Sequence, residues 1–387
     1  MRHKLFEMVA NANTGADAIK RAPIVSENTG IRCLRIGDVS QGRPFSEWGF
    51  TKTTDDDFNK YQLKAGDTII ARTGNTIGVN TYIDADLQSV YNNGLIRIQV
   101  NQDVIRPRYF YYLARSKGCQ DFIQSIAFGT STQPNMKIKD FLQYEFEYFD
   151  KDVQDKIIRI IEPIEEKIKL NNEINSNLFE QAKTLYKAWF VDFSRFGNVM
   201  PSTCKIGKVE DAIELHDAKR VPLSSNEREK MDKIYPYYGA TSLMDYVDNY
   251  LFDGIYLLLG EDGTVMDDKG YPVLQYIEGK FWVNNHAHIL TGKNGFSVEE
   301  LYLLFSLTNV KNIVTGAVQQ KISQANLKKV EIVIPSADLL KEFDDIIQPL
   351  FAEIRNNRNE ITKLSSLRDA LLPKLMSGEI DLSNIDV

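Results

Sequence analysis

Two rhythms of apolar residues alternate along the chain, and their order repeats once. In 1–150 and 205–336 the apolar positions fall in short runs such as Thr68-Ile69-Ile70-Ala71 and Ile255-Tyr256-Leu257-Leu258. Gly and Asp bound these runs, a pattern that predicts strands in a mixed α/β module. In 151–191 and 337–378 the rhythm changes to steps of four and three. The second of these segments carries Phe343, Ile346, Leu350, Ile354, Asn357, Ile361, Leu364, Arg368, Leu371 and Leu375 at such steps, and the first carries Ile157, Ile160, Ile164, Ile168, Asn171, Asn175, Leu178, Ala182, Leu185 and Trp189. This is a heptad seam, and it predicts two long helices that pair with each other. The stretch 192–204, punctuated by Gly, Pro and Ser, reads as a linker, and 379–387 reads as a tail.

The repeat has a register. An ungapped offset of 186 aligns Gln133–Phe190 with Gln319–Met376, placing Asp152 on Asp338, Pro163 on Pro349 and Leu185 on Leu371. Further upstream the offsets drift: Asn92-Asn93 matches Asn284-Asn285 at 192, and Lys20-Arg21 matches Lys219-Arg220 at 199. A slowly drifting order of matches indicates duplication with loop insertions. The matched prolines predict a bend at the same place in each helix. The matched asparagines, Asn171 and Asn357, are expected near the crossing point, where a buried polar residue sets alignment at some cost in stability. From Pro163 to Phe190 the helix would run roughly 42 Å, comparable with the roughly 34–36 Å of one turn of B-DNA.

Composition narrows the class. The chain is 43% apolar and 26% charged over 387 residues, ordinary for a globular protein of two or more domains. Cys33, Cys119 and Cys204 lie far apart and form neither a disulfide framework nor a zinc ribbon. No secretory leader or membrane-length apolar run is visible, so a cytoplasmic location is expected. The net charge of −7 argues against nucleic-acid binding by this chain alone. By segment, 1–150 holds 18 basic against 17 acidic residues, and 191–337 holds 15 against 19.

Motifs for chemistry are absent. There is no Gly-x-x-x-x-Gly-Lys-[Ser/Thr] phosphate loop and no Asn-Pro-Pro-Tyr adenine-methylation signature. His286 and His288 would share one face of a strand. Without a third ligand at useful spacing, no metal site is assigned.

Side chains able to reach base edges, and Gly-rich loops able to approach phosphates, cluster in three places per copy. The first is the loop 72–78, contributing Arg72, Thr73, Asn75 and Thr76, with the acidic counterpart Gly260-Glu261-Asp262-Gly263. The second contributes Thr130, Ser131, Thr132, Gln133, Asn135 and Lys137, matched by Gln319, Gln320 and Lys321. The third is Lys20 and Arg21, matched by Lys219 and Arg220, with Tyr237 and Tyr238 close in sequence.

The arrangement and motifs resemble the specificity subunit of type I restriction–modification systems. Lys219-Arg220-Val221-Pro222-Leu223, Tyr235-Pro236-Tyr237-Tyr238-Gly239-Ala240 and Leu257-Leu258-Leu259-Gly260-Glu261-Asp262-Gly263 are similar to one class of target-recognition domain. Leu34-Arg35-Ile36-Gly37-Asp38 and Gly66-Asp67-Thr68-Ile69-Ile70-Ala71 resemble another. The segments 185–193 and 367–380 are similar to the family's helical regions. The resemblance implies an α+β fold: two pseudo-repeated target-recognition domains, joined and separated by two long antiparallel coiled-coil helices. It also implies a non-catalytic subunit that reads one half of a split double-stranded DNA target with each domain. Two methylation subunits would dock on it, with restriction subunits joining through them. No cofactor is expected in this chain, since S-adenosylmethionine, ATP and Mg would belong to the partners. The competing reading is a helical adaptor that binds protein partners only.

Overall fold

The computed structural model describes residues 2–128, 134–316 and 319–382. It forms two compact units, one comprising Met1–Ile168 with Thr362–Val387 and the other Lys169–Ile361. Each unit therefore takes a globular module together with part of both long helices. The candidate residues Thr130, Ser131, Thr132 and Gln133 lie outside the described residues.

The first module runs β1 (Arg2–Lys4), β2 (Val9–Thr14), β3 (Ile24–Val25), β4 (Arg32–Leu34), α1 (Ile36–Ser40), β5 (Phe50–Thr51), α2 (Asp55–Tyr61), β6 (Thr68–Ala71), β7 (Asn80–Tyr82), β8 (Ser89–Tyr91) and β9 (Leu95–Val100). It continues with α3 (Pro107–Arg115), α4 (Lys117–Ala127), α5 (Ile138–Phe141) and β10 (Glu145–Glu147). One sheet has the order β2-β9-β6-β7 and a second the order β3-β5-β4-β8. Every residue of β6 is buried, Thr68 together with the apolar Ile69, Ile70 and Ala71, in keeping with a central strand. Pro107 opens α3, where its missing N–H costs no hydrogen bond, and the helix buries Tyr109, Phe110, Tyr112 and Leu113.

The helix α6 (Lys151–Phe190) follows. The second module then runs β11 (Lys205–Lys208), α7 (Val209–Ala212), β12 (Ile213–Leu215), α8 (Ser225–Arg228), β13 (Tyr235–Tyr238), β14 (Leu243–Val247), β15 (Phe252–Gly260) and β16 (Asp262–Gly263). After these come β17 (Leu274–Val283), β18 (Ala287–Gly292), α9 (Val298–Leu307), β19 (Gln320–Lys321), α10 (Gln324–Lys328), β20 (Glu331–Ile334) and the helix α11 (Ala337–Met376). Its main sheet has the order β12-β18-β15-β17-β13-β14. The first four strands reproduce β2-β9-β6-β7. The parallel pairing of β13 with β17 reproduces that of β4 with β8.

Both long helices contain 40 residues and remain helical through Pro163 and Pro349. In the first unit the start of α6 and the end of α11 share a core through Ile157, Ile161, Leu372 and Leu375. In the second, the end of α6 and the start of α11 share one through Ala182, Tyr186, Phe343, Ile347 and Phe351. The pairing is antiparallel in each case. The expected seam needs correction near the modules. Ile346 is exposed, while Ile347 and Phe351 are fully buried. A helix packed against both a partner helix and a sheet buries a broad stripe of period 3.6, not a narrow heptad seam.

Asn171 and Asn357 are both buried and bond across the helix pair. They do not bond each other: Asn171 Nδ2 donates to Glu360 Oε2 at 2.7 Å, and Asn357 Nδ2 to Asn175 Oδ1 at 3.1 Å. Among the described residues, no helix is long and apolar enough to cross a membrane.

Candidate nucleic-acid interface

In the first unit, the turn Asn92-Asn93-Gly94 between β8 and β9 ties together the segments that carry the candidate residues. Asn93 N donates to Ala16 O at 2.9 Å, which anchors the Lys20–Arg21 segment, and Arg72 N donates to Gly94 O at 3.0 Å. Asn92 N donates to Leu34 O at 3.1 Å, fixing the end of β4. The Arg72 carbonyl accepts from Met136 N at 2.8 Å, and Thr73 bridges to Asn135. The loops 72–78 and 134–137 are thus neighbours. Close approach makes glycine necessary here: a Cβ on Gly15 would lie 2.2 Å from the Tyr91 carbonyl oxygen and 2.3 Å from that of Asn92.

The second unit builds the same junction from Asn284-Asn285-His286. Asn284 N donates to Tyr238 O at 3.0 Å, Glu261 N to His286 O at 2.8 Å, and Ile322 N to Glu261 O at 2.8 Å. The acidic loop pairs with the strand after it, Asp262 opposite Lys321 and Gly263 opposite Gln320. The backbone scheme is common to both units, whereas the side chains on it differ.

Beneath this second junction lies a cluster of charges. His288 is fully buried, with Nδ1 2.6 Å from Asp217 Oδ2 and Nε2 2.8 Å from the Ile322 carbonyl. Burial pushes the Asp217 carboxyl up, but hydrogen bonds from His288, Ile289 N–H and Gln324, with the His288 charge, outweigh it and hold the group below its usual range. Asp217 is therefore ionised, and each ring nitrogen of His288 faces an oxygen acceptor. Glu261 is likewise held low, its burial outweighed by Arg220, His288 and Lys321. Asp217, Glu261 and His288 offer ligand atoms within 4.8 Å of one another. Arg220 and Lys321 already occupy the carboxylates, so the group closes as a charge network without needing an ion. His286 does not join this cluster: it precedes β18, is half exposed and pairs with Asp262.

These contacts revise two of the expected DNA-facing residues. Arg220 is a brace. Its Nη1 donates to Glu261 at 2.6 Å and to the Ala287 carbonyl at 2.8 Å, and its Nε to the Asp217 carbonyl at 3.0 Å. Tyr237 is 1% exposed and its hydroxyl accepts from Leu223 N, so it belongs to the core. Tyr238 is half-buried against Phe281. Arg21 reaches Tyr61 at 3.1 Å and Asp57 at 3.5 Å, and Arg72 Nη2 donates to Asn135 Oδ1 at 3.0 Å. Lys20, Asn75, Asn135, Lys137, Lys219, Gln319 and Lys321 are exposed, while Thr73, Thr76 and Gln320 are half-buried. The sequence reading missed the junction role of the two Asn-Asn pairs, although their matched spacing was visible.

The comparisons with known proteins agree with this architecture. A model of the type I restriction modification DNA specificity domain matches residues 9–179 and again 201–365. The chain is 24% identical to the type I restriction enzyme MjaIX specificity subunit of Methanocaldococcus jannaschii, over 76% of this chain and 73% of that protein. It is 23% identical to the HindI specificity subunit of Haemophilus influenzae, over 83% and 88% respectively. The S subunit of a type I restriction-modification system from M. genitalium shares the fold, with a TM-score of 0.55 at 16% identity, covering 97% of this chain and 96% of that one.

Proposed function

The chain belongs to the family of type I restriction–modification DNA specificity proteins, and on that premise we propose that each unit reads one half of a bipartite duplex target. The observation that carries this reading is the junction built twice. Two modules present the same backbone scheme, with different side chains on the loops around it. Such a pair suits two unlike half-sites held at a set separation, with the helices as the ruler. The subunit itself carries no catalytic chemistry in this reading. Two methylation subunits dock on it, and restriction subunits join through them in the cytoplasm. S-adenosylmethionine, ATP and Mg serve those partners. The overall acidity of the chain then means that the partners supply much of the positive surface around the DNA. The family match removes the reason for an adaptor that binds proteins only.

The test is to express the chain with the methylation subunit encoded beside it and to map methylated adenines genome-wide. A two-part motif with a constant gap is expected, as is duplex binding that appears only with the partner present. An undivided motif, or a stable complex that leaves DNA unmethylated, would overturn the reading.

A further inference from the structure

The arginines of the first unit divide by how many of their donors are already spent. Arg97 is buried, gives Nη1 and Nη2 to the Gln62 and Lys60 carbonyls, and faces Asp67. Arg106 places Nε and Nη2 on the two carboxylate oxygens of Asp155, each at 2.7 Å. These guanidinium groups hold the fold together and have little left to offer a ligand.

Arg35 and Arg43 are different. Both converge on the carboxylate of Asp38, which is 1% exposed: Arg35 Nε lies 3.2 Å from Oδ2, and Arg43 Nη1 lies 3.6 Å from Oδ1. Arg43 Nε donates to Gln41 Oε1 at 2.8 Å. Among the described residues, neither terminal amino group of Arg35 donates a hydrogen bond, and Arg43 Nη2 donates none. The two side chains are 37% and 41% exposed. Each is therefore anchored at one edge and still partly open to solvent.

The backbone around them is fixed as well. Arg35 N donates to Asp38 Oδ2 at 3.0 Å, Arg43 N to Asp38 O at 2.9 Å, and Trp48 Nε1 to the Arg43 carbonyl at 2.9 Å. The side chain of Ile36 packs against Gly94, so the α1 turn is seated on the same junction that holds Arg72. Arg32 adds a third guanidinium, 4.1 Å above the Phe50 ring and 5.6 Å from the half-exposed Phe45. Two guanidinium groups share one buried carboxylate, which leaves a surplus positive charge there on a chain of net charge −7.

We propose that Arg35 and Arg43 are specificity-determining residues that contact guanine in the half-site read by the first unit. The proposal rests on the target-reading function given above. An arginine offers two parallel N–H donors that match O6 and N7 of guanine in the major groove, and a side chain already held in place loses less freedom on binding. Asp38 is the positioning residue that keeps both forks aimed outward. The corresponding hairpin of the second unit, β13–β14, turns through Gly239–Ser242 and presents Leu243, Met244 and Tyr246 at its surface in place of arginine. The guanine contact belongs to one half-site only.

The experiment uses the full chain with its methylation partner, comparing wild type with Arg35→Ala, Arg43→Ala and Arg35→Lys. Methylated adenines are mapped, and binding is measured on duplexes with single G·C pairs replaced. Each alanine variant should lose about 10- to 100-fold of discrimination at one G·C pair in one half-site, with the other half-site read as strictly as before. That unchanged half shows the variant to be folded and assembled. Arg35→Lys keeps the charge but not the fork, so it should retain affinity and still relax the same base pair. Strict reading of both halves by the alanine variants would overturn the proposal. So would a uniform loss across all sequences with a shallower salt dependence, the signature of phosphate contact. An undivided motif in the wild type would instead remove the target-reading function on which the proposal stands.

Discussion

The two units share a strand order and a junction, yet they hold their modules against the helices with opposite chemistry. In the first, three arginines of the α3 region meet three acids on α6: Arg106 with Asp155 at 2.7 Å, Arg108 with Glu162 at 2.8 Å, and Arg115 with Glu165. At the corresponding positions of the second unit, offset by 192 in the module and 186 in the helix, Glu300 replaces Arg108 and Leu307 replaces Arg115. Gln348 replaces Glu162 and Phe351 replaces Glu165. The result is an aromatic contact. Tyr302 stacks on Phe179 and Tyr276, with centroids 4.6 and 5.7 Å apart, and Phe351 packs edge-on to Phe179. An ion pair persists there as well: Glu299 accepts from the Tyr276 hydroxyl at 2.6 Å and from Arg355 Nη1 at 2.8 Å. Duplication has conserved where the module sits while leaving the forces that seat it free to diverge.

The comparison can be broken most forcefully at Phe351. It is fully buried, and Phe351→Ala should cost about 3–5 kcal/mol, read as an early unfolding transition of the second unit in urea. A loss below about 1 kcal/mol would show that the aromatic face does not hold that module.

A smaller effect separates the units by pH. Burial, with Asp344 and Glu299 nearby, pushes the Glu300 carboxyl from its usual 4.5 up to about 8. Unfolded, the group ionises near 4.5. Between these values the folded state holds the extra proton, so this contribution to stability is full below pH 4.5 and declines as pH rises through about 8. Glu300→Gln should therefore match wild type near pH 4 and be the more stable of the two at pH 9. A gain equal at both pH values would contradict the assignment.

The smallest effect concerns the ion pairs. Arg115→Ala should destabilise the first unit by about 1–2 kcal/mol at low salt, since the pair is only partly shielded from water. Much of that cost should vanish at 1 M NaCl, where the loss in Phe351→Ala should persist. The double change Arg115→Leu with Glu165→Phe brings in the second unit's residues and should make the contact insensitive to salt. Thermal melts across a NaCl series read all three variants.

The helices were largely legible because their repeat is ungapped. Matching Gln133–Phe190 to Gln319–Met376 located both without any tertiary information. The seam was legible only at its middle. Near each module the burial of Ile347 and Phe351 in place of Ile346 depends on a sheet that no heptad pattern records. Arg220 looked like a free cation because its partners, Glu261 and the Ala287 carbonyl, lie 41 and 67 residues away. Tyr237 belongs to a run of tyrosines, and its hydroxyl bonds to Leu223, which lies 14 residues upstream. Arg35, Asp38 and Arg43 were passed over for a related reason. Their short spacing shows a turn, but it does not show that the carboxylate between the arginines is buried.

Local pattern by itself determined the duplication, the two long helices and the family, because periodicity and ordered motifs are properties of neighbours along the chain. Tertiary structure alone decided which cations remain available to a ligand. A guanidinium is free or spent according to the acceptors that folding brings to it, and those acceptors come from strands and turns far away in sequence.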